Sequence, residues 1–399
     1  MISKRILSGI LLVAGTSVGA GMLALPVVTA AGGFFPAFFI YFLCWLFMTC
    51  TGLLLLELCL EMPPGANLVS IAENYLGRPG KIVAWILYLF LFYCLTVAYI
   101  AGGGGLLLNW LGGSLSPWAA NVLFTLCLSV FVYQGAKRVD GLNRFLMAGL
   151  VLSFCVFVFL CFPHVQWAPL QRANWGASLI ALPVVFTSFS YQGIIPSLTG
   201  YLKRDVKSIQ IAIVGGTTLA FLIYLLWEFL ILGVLPFEGE FGLFQAKKLG
   251  LTAVAPLKNH LASPTISFLG QIFAFFAITT SFLGVTLGLL DFLADGLKKA
   301  KKGWSHFQLA LLTFAPPLLI AMIYPSLFLT ALNFAGGIGC ALLLGFLPVL
   351  MVWVARYRSN SSFASPIQLP GGKWALILLF FFVLIEVALE LWFEILALF

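Results

Sequence analysis

Charge is scarce in this sequence. Only 9% of its 399 residues are charged, whereas 62% are hydrophobic. A soluble chain of this length could not cover so much apolar surface with so few charges, so we expect lipid around it. The formal net charge of +8 would suggest a nucleic-acid partner in a soluble protein. Here the basic residues fall in alternate loops, which indicates membrane topology and no nucleic-acid partner.

Residues that metal, haem and catalytic sites require are few or unfavourably placed. The three histidines lie in or beside predicted loops, and the eight cysteines are scattered without metal-ligand spacing. No Lys or Arg falls at mid-depth of an apolar run, which disfavours a proton pump built on buried lysines. No nucleophile–base pair appears at depth either. We therefore predict that the chain is not an enzyme and uses no metal or cofactor.

Long apolar runs are abundant instead, and eleven of them are candidate membrane-spanning segments. Segments four and nine are near the lower length limit. No soluble domain or low-complexity tract intervenes, so we predict an all-α integral membrane protein with a single transporter domain over 1–399. Segments one to eleven are predicted at 6–31, 34–61, 81–110, 118–133, 143–162, 177–201, 209–235, 265–293, 307–324, 327–354 and 374–398.

The distribution of basic residues predicts orientation. All but four of the 21 Lys and Arg residues lie in one set of loops, which the positive-inside rule assigns to the cytoplasm. The N-terminus is then cytoplasmic and the C-terminus lies on the opposite side, called the outer side below. The outer connection 236–264 is long enough to be a lid or simply an ordered loop. The four basic residues on the outer side are Arg172, Lys247, Lys248 and Lys258.

Segments one and six are each interrupted near mid-depth by glycine and small polar residues. The interruptions are 15–21 (GTSVGAG) and 187–193 (TSFSYQG). Unwound backbone at this depth is tolerated only where protein buries it or it lines a cavity. Two breaks five segments apart favour a transport site between inverted repeats. We place repeat one at about 6–162, repeat two at about 177–354 and an extra helix at about 374–398.

Such breaks expose backbone N–H groups at one end and carbonyl groups at the other, which suits a zwitterionic amino acid. Glycines without Cβ let ligand atoms approach the backbone, although glycines also serve tight helix crossings in membranes. Aromatic side chains near the breaks could stack on a flat ligand. The predicted substrate-binding residues are Gly15, Thr16, Ser17, Gly19, Ala20, Gly21, Tyr93, Thr187, Ser188, Phe189, Ser190 and Gln192. Tyr99 and Tyr191 are further stacking candidates.

Five carboxylates lie within predicted segments. Glu57 and Asp291 are near the cytoplasmic ends of segments two and eight, where water could reach them. They are candidates for an inner gate or proton handling, or are interfacial carboxylates satisfied by loop partners. Glu228 lies deeper and is a candidate proton site. Glu386 and Glu390, one turn apart on the last segment, favour contact with a partner over transport chemistry.

Two stretches resemble signatures of the bacterial aromatic amino acid permeases, a hydroxy/aromatic amino acid permease family. They are 14–26 (AGTSVGAGMLALP) and 186–198 (FTSFSYQGIIPSL), and shorter likenesses lie at 53–57, 75–78, 142–146 and 280–291. The resemblance implies a leucine-transporter-like fold with a 5+5 inverted repeat, discontinuous helices one and six, and one extra helix. It also implies import of aromatic amino acids, tyrosine first and tryptophan next, across the bacterial inner membrane by proton symport.

The chain departs from this family at two positions. Gln192 stands where the family usually has histidine, and Leu150 stands where the tyrosine permease has lysine. Thr280 and Ser281 resemble the paired hydroxyls of a sodium site that faces unwound carbonyls such as that of Val18. Sodium coupling is therefore the alternative to proton coupling, although these hydroxyls could equally be satisfied within their own helix.

Other functions remain open at this point. A carrier of another neutral amino acid would show the same breaks. A channel would favour a polar pore or charged rings over two matched helix breaks. An intramembrane enzyme would need reactive groups at depth, and none is evident.

Overall fold

The computed structural model describes residues 4–111, 115–260, 263–358 and 365–397, and these residues form helices and connecting turns without any strand. Nine helical stretches of the described residues, eight long helices and the composite Trp175–Tyr201, are long and apolar enough to cross a membrane, and one bent pair gives a tenth. Pro117–Tyr133, the fourth segment, is a shorter apolar helix of 17 residues. The all-helical fold is as predicted, whereas the count of eleven spans stays a prediction.

The long helices follow the predicted segments, but two of them begin much earlier. Helix three starts at Leu68, because Asn67 caps its first turn by accepting from the Ser70 N–H, and it bends at Gly77, whose φ is 68°. Helix five starts at Ala136. The long helices are Phe34–Glu61, Leu68–Trp110, Ala136–Cys161, Val206–Val234, Pro264–Gly296, Gly303–Ile323, Phe328–Tyr357 and Gly372–Ala397.

Segments one and six are built from short helices. Segment one consists of Lys4–Ser17, Ala20–Leu23 and Leu25–Thr29. Segment six consists of Trp175–Ser178, Leu179–Ala181, Leu182–Ser188, Gln192–Ile194 and Ile195–Tyr201. The remaining short helices lie in the outer connections, at Phe162–His164, Trp167–Leu170, Leu243–Lys248 and Leu257–His260.

Close helix crossings hold the broken segments in place. A Cβ built on Gly216 of segment seven would lie 2.5 Å from Cβ of Val13, so only glycine lets segments one and seven approach this closely. Segment ten crosses segment six in the same way, because a Cβ on Gly336 would lie 1.7 Å from the carbonyl oxygen of Pro183. Gly336 belongs to a π-helical stretch, Ala335–Phe346, whose wide turns are rare and often mark functional regions.

The last helix directs its two carboxylates into the protein. Glu386 and Glu390 are 0% and 1% exposed. Glu390 accepts from the Asn333 amide at 2.9 Å, and Gly337 leaves room for its side chain. Both carboxylates face inward, so the expectation that they contact a partner is wrong. Apolar residues cover both faces of this helix, so the sequence carried no sign of which face is buried.

Candidate transport site

The first break lies between Ser17 and Ala20. The helix that precedes it ends at Ser17, Gly19 is extended with φ −157° and ψ −150°, and a 3₁₀ turn begins at Ala20. The helical pieces on either side are bent by 48° relative to each other. The predicted interruption of segment one is therefore confirmed.

The second break lies between Ser188 and Gln192. A helix ends at Ser188, Tyr191 is non-helical with φ −144° and ψ −10°, and a short turn leads into the helix Ile195–Tyr201. Pro196 occupies the first turn of that helix, where its missing N–H costs nothing. The predicted interruption of segment six is confirmed as well.

The two breaks meet at one hydroxyl group. The Tyr224 hydroxyl oxygen lies 2.6 Å from the Ser17 carbonyl oxygen and 2.7 Å from the Ser188 carbonyl oxygen. Each carbonyl belongs to the last residue of a helix, where the helix dipole is negative. A hydroxyl carries one proton and donates to one acceptor at a time. The paired carbonyl ends therefore form a buried region that favours positive charge.

Segment eight contacts the first break through Ser281. The Ser281 hydroxyl oxygen accepts from the Ala20 backbone N–H at 2.9 Å, and the side chain of Tyr99 on segment three lies beside it. A Cβ built on Gly19 would lie only 2.4 Å from the same oxygen. Glycine at position 19 is thus required by a close approach of segment eight, and not only by the freedom of its backbone.

The breaks also touch each other directly. A Cβ on Gly21 would lie 2.8 Å from the Ser188 hydroxyl oxygen. The buried ring of Phe189 stands edge-on to Tyr224, with ring centroids 5.0 Å apart and planes at 81°. On the far side, Ser190 lies beside Cys340 of segment ten, and its hydroxyl donates to the Thr187 carbonyl at 2.6 Å. Segments one, three, six, seven, eight and ten therefore all contribute side chains around the breaks.

Several predicted site residues are used elsewhere. The Tyr93 hydroxyl donates to the Leu312 carbonyl at 2.8 Å, so this side chain faces segment nine and Tyr99 takes the place near the breaks. Thr16 is exposed and donates to a carbonyl of its own helix. A Cβ on Gly15 would meet only Met147, at 3.4 Å.

Other polar groups of segment six hold it against its neighbours. The Gln192 amide is buried and donates to the Thr51 hydroxyl of segment two at 3.2 Å. The Thr187 hydroxyl donates to the Leu332 carbonyl of segment ten at 2.8 Å. These contacts hold the second break against segments two and ten, so we assign to Gln192 and Thr187 the role of positioning segment six.

The cation-site candidates divide in a similar way. Ser281 lies at the first break, whereas the Thr280 hydroxyl donates to the Phe276 carbonyl of its own helix at 2.8 Å. The sequence left open that these hydroxyls are satisfied within their own helix, and Thr280 makes such a bond. The Val18 N–H donates to the Ala14 carbonyl at 2.8 Å, which continues the first helix by one residue.

The two carboxylates predicted at the cytoplasmic ends of segments two and eight lie away from the breaks. Glu57 is 0% exposed, and its oxygens accept from Arg356 at 2.6 Å and from the Leu369 N–H at 2.6 Å. This buried ion pair joins segment two to the end of segment ten, so the expectation that water reaches Glu57 is wrong. Asp291 is about half exposed and pairs with Lys301.

The outer connection covers segment one. The Ala253 N–H donates to the Leu23 carbonyl at 2.9 Å, and Leu243 and Ala246 of its short helix are buried. A loop that hydrogen-bonds the unwound part of a broken helix must separate from it when that part opens to the outer side. The loop therefore has the position expected of a lid.

Sequence reasoning missed Tyr224, which joins the two breaks. It is one of 11 tyrosines and lies in a segment that is apolar on all sides, so no periodicity distinguishes it. Only the packing of segment seven against both breaks identifies it.

Two broken helices whose carbonyl ends converge inside a multi-pass helical bundle define a membrane transport protein. The same fold is found in the crystal structure of MhsT in complex with L-phenylalanine, a leucine-transporter-like fold, with a TM-score of 0.66 and 16% identity over 98% of both chains. The chain belongs to the tryptophan/tyrosine permease family, whose model matches residues 2–390.

Curated relatives agree with this family. The chain is 36% identical to "Tyrosine-specific transport system 1" of Haemophilus influenzae, over 92% of each chain. It is 33% identical to "Tryptophan-specific transport protein" of Pseudomonas aeruginosa, over 94% of this chain and 92% of the relative. The resemblance noted in the sequence is therefore confirmed, and the chain is a multi-pass permease and not an enzyme.

Proposed function

We propose that this chain imports aromatic amino acids, tyrosine first and tryptophan next, across the bacterial inner membrane by symport with a cation. The observation that carries the proposal is the convergence of the Ser17 and Ser188 carbonyls on the Tyr224 hydroxyl. An amino acid at this point binds through its ammonium group to the carbonyl ends and through its carboxylate to the turn that begins at Ala20.

Aromatic walls support an aromatic cargo. Tyr99 and Phe189 are both buried beside the breaks, on segments three and six. Buried rings bind a flat side chain through edge-on or offset contacts and exclude water from the ammonium and carboxylate contacts. The printed names of the relatives and the phenylalanine in the matched crystal structure agree with this class of cargo.

Protons are the coupling ion that the hydrogen bonding favours. At a sodium site on segment eight, both hydroxyl oxygens of positions 280 and 281 would have to face a cation. The Ser281 oxygen accepts from a backbone N–H, which opposes a cation there, whereas Thr280 donates within its helix and keeps its lone pairs free. The orientation in this proposal places the N-terminus in the cytoplasm and the C-terminus in the periplasm.

Counterflow in liposomes that contain the purified protein tests the cargo. We expect liposomes loaded with tyrosine to take up labelled tyrosine, with competition by tryptophan and phenylalanine but not by leucine or glutamine. Gly21→Leu should abolish this exchange because its side chain enters the space of Ser188. Gly284→Leu is the matched control, since nothing lies within 4 Å of a Cβ there. Equal competition by all neutral amino acids would contradict the aromatic assignment.

A further inference from the structure

One carboxyl group inside segment seven has no role in the site described so far. Glu228 is 0% exposed and lies four residues after Tyr224. Residues i and i+4 share one face of a helix, separated by about 6 Å along its axis. Glu228 therefore lies one turn from the hydroxyl that joins the two breaks.

Two hydroxyl groups hold this carboxyl. Its Oε1 lies 2.5 Å from the Thr29 hydroxyl oxygen, and its Oε2 accepts from the Tyr41 hydroxyl at 2.7 Å. The Thr29 hydroxyl oxygen also lies 2.7 Å from the Leu25 carbonyl oxygen. Thr29 ends the helix Leu25–Thr29, the outer half of broken segment one, and Tyr41 is on segment two.

The hydroxyl hydrogens around Glu228 can be counted for the protonated acid and for the carboxylate. Thr29 has one hydroxyl hydrogen. If Thr29 donates to the Leu25 carbonyl, the hydrogen in the short contact with Glu228 must come from the carboxyl group. The protonated acid then satisfies every polar atom of the cluster. The carboxylate is satisfied too, because it accepts the Thr29 hydrogen while the Leu25 carbonyl keeps its hydrogen bond within the helix, so the cost of the buried charge decides between the two forms.

Within the described part of the chain, no base compensates a charge at this position. Among the described residues Glu228 has no ion pair, and the titratable group that faces it from another segment is Tyr41. Arg172, on the outer side, donates to the Ala31 carbonyl and stacks on Phe237. The other ionisable groups on elements packed against segment seven, none of them paired with Glu228, are Lys4, Arg5, Cys44, Cys50, Glu57, Cys59, Glu61, Lys137, Arg138, Asp140, Arg144, Cys155, Cys161 and His164. An isolated buried carboxylate costs several kcal/mol.

We propose that Glu228 is the site that binds the coupling proton. This inference rests on the proposed function and adds the residue through which the proton gradient acts. The proton comes from outer water while the outer half of segment one is open, and the closure of this half-helix brings Thr29 onto the acid. It leaves to the cytoplasmic side as a hydronium ion after the cargo is released, and the carboxylate remains.

The link to the cargo runs through segment seven. An ammonium group at the Ser17 and Ser188 carbonyls displaces or reorients the Tyr224 hydroxyl, one turn from Glu228. Conversely, Thr29 is bound to the acid and lies on the same half-helix as the first break. Loading of the proton and of the cargo therefore both favour closure of the same half-helix.

Proton flux in liposomes tests this site. The membrane potential is clamped with potassium and valinomycin, and a pH dye in the lumen reports protons that enter with tyrosine. A gradient of two pH units can sustain about 100-fold accumulation at one proton per tyrosine, since each unit is a factor of ten. Glu228→Gln, which imitates the protonated acid, should keep tyrosine counterflow but lose lumen acidification and accumulation.

Glu386→Gln is the matched control, because Glu386 is also fully buried yet has no hydrogen-bond partner among the described atoms. It should accumulate tyrosine as the wild type does. If Glu228→Gln still acidifies the lumen, or if only Glu386→Gln stops acidification, Glu228 is not the proton site.

The wild-type protein separates failure of this inference from failure of the proposed function. Absent counterflow of aromatic amino acids in the wild type would remove the proposed function itself. Counterflow with accumulation driven by sodium alone would keep the function and overturn the proton site. If Glu228→Gln does not fold, Glu228→Asp decides: it should move protons with tyrosine, and tyrosine transport without protons would overturn the inference.

Discussion

The close approach of Gly19 to Ser281 allows a double-mutant test of the first break. A methyl group at position 19 would lie 2.4 Å from the Ser281 hydroxyl oxygen, a separation that real Cβ atoms essentially never show. That oxygen accepts from the Ala20 N–H, so it cannot rotate away without losing this partner. Gly19→Ala should therefore weaken the binding of labelled tyrosine.

The size of this effect follows from the hydrogen bond that is lost. Leaving a buried N–H such as that of Ala20 unsatisfied costs about 1–3 kcal/mol. If this cost falls on the conformation that binds cargo, affinity drops about 5- to 150-fold, since 1.4 kcal/mol is a factor of ten. Ser281→Ala alone also leaves the Ala20 N–H without an acceptor and should lower the affinity by a similar factor. In the Ser281→Ala background, Gly19→Ala meets only the Cβ of residue 281, at 3.7 Å.

The two substitutions should consequently be far from additive, with the double variant no weaker than Ser281→Ala alone. Scintillation proximity binding of labelled tyrosine to the four purified proteins measures the cycle, and Gly284→Ala serves as an inert control. Equal losses from Gly19→Ala in both backgrounds would refute the steric explanation. They would indicate that Gly19 acts through its backbone or through direct contact with cargo.

Three further substitutions test other parts of the structure. Tyr224→Phe leaves both carbonyl ends without a partner until an ammonium group binds them, which costs the empty site about 1–3 kcal/mol and should raise tyrosine affinity about 5- to 150-fold; unchanged binding would exclude the bridge. Arg356→Ala leaves buried Glu57 without its ion-pair partner and should lower the free energy of unfolding by about 3–5 kcal/mol. The loss should appear as faster thermal inactivation in detergent, which Glu57→Gln should partly reverse. Gly336→Ala forces its Cβ against the Pro183 carbonyl and should reduce folded yield in size-exclusion chromatography, whereas an unchanged yield would mean that segments six and ten can separate.

Local features of the sequence predicted the breaks and the site near them. Glycines 19 and 21 and the hydroxyls around Ser188 lie at the breaks, and Ser281 lies against the first of them. Helix breaks depend on residues that lack Cβ or compete for backbone hydrogen bonds, and both are properties of a short stretch of chain. Tyr93 was predicted to bind substrate, but Tyr93 and Tyr99 occupy different faces of their helix. The structure directs Tyr93 to segment nine and puts Tyr99 beside Ser281.

By itself, the sequence determined that the chain is helical, that it lies in lipid and that two helices are interrupted, because length, hydropathy and glycine act locally. Tertiary structure alone decided that Tyr224 joins the breaks, that Glu228 is held by Thr29 and Tyr41, and that Glu386 faces inward. The physical reason is the solvent. In water a buried helix face differs in polarity from an exposed one, whereas in lipid both faces are apolar, so periodicity cannot reveal which side chains meet.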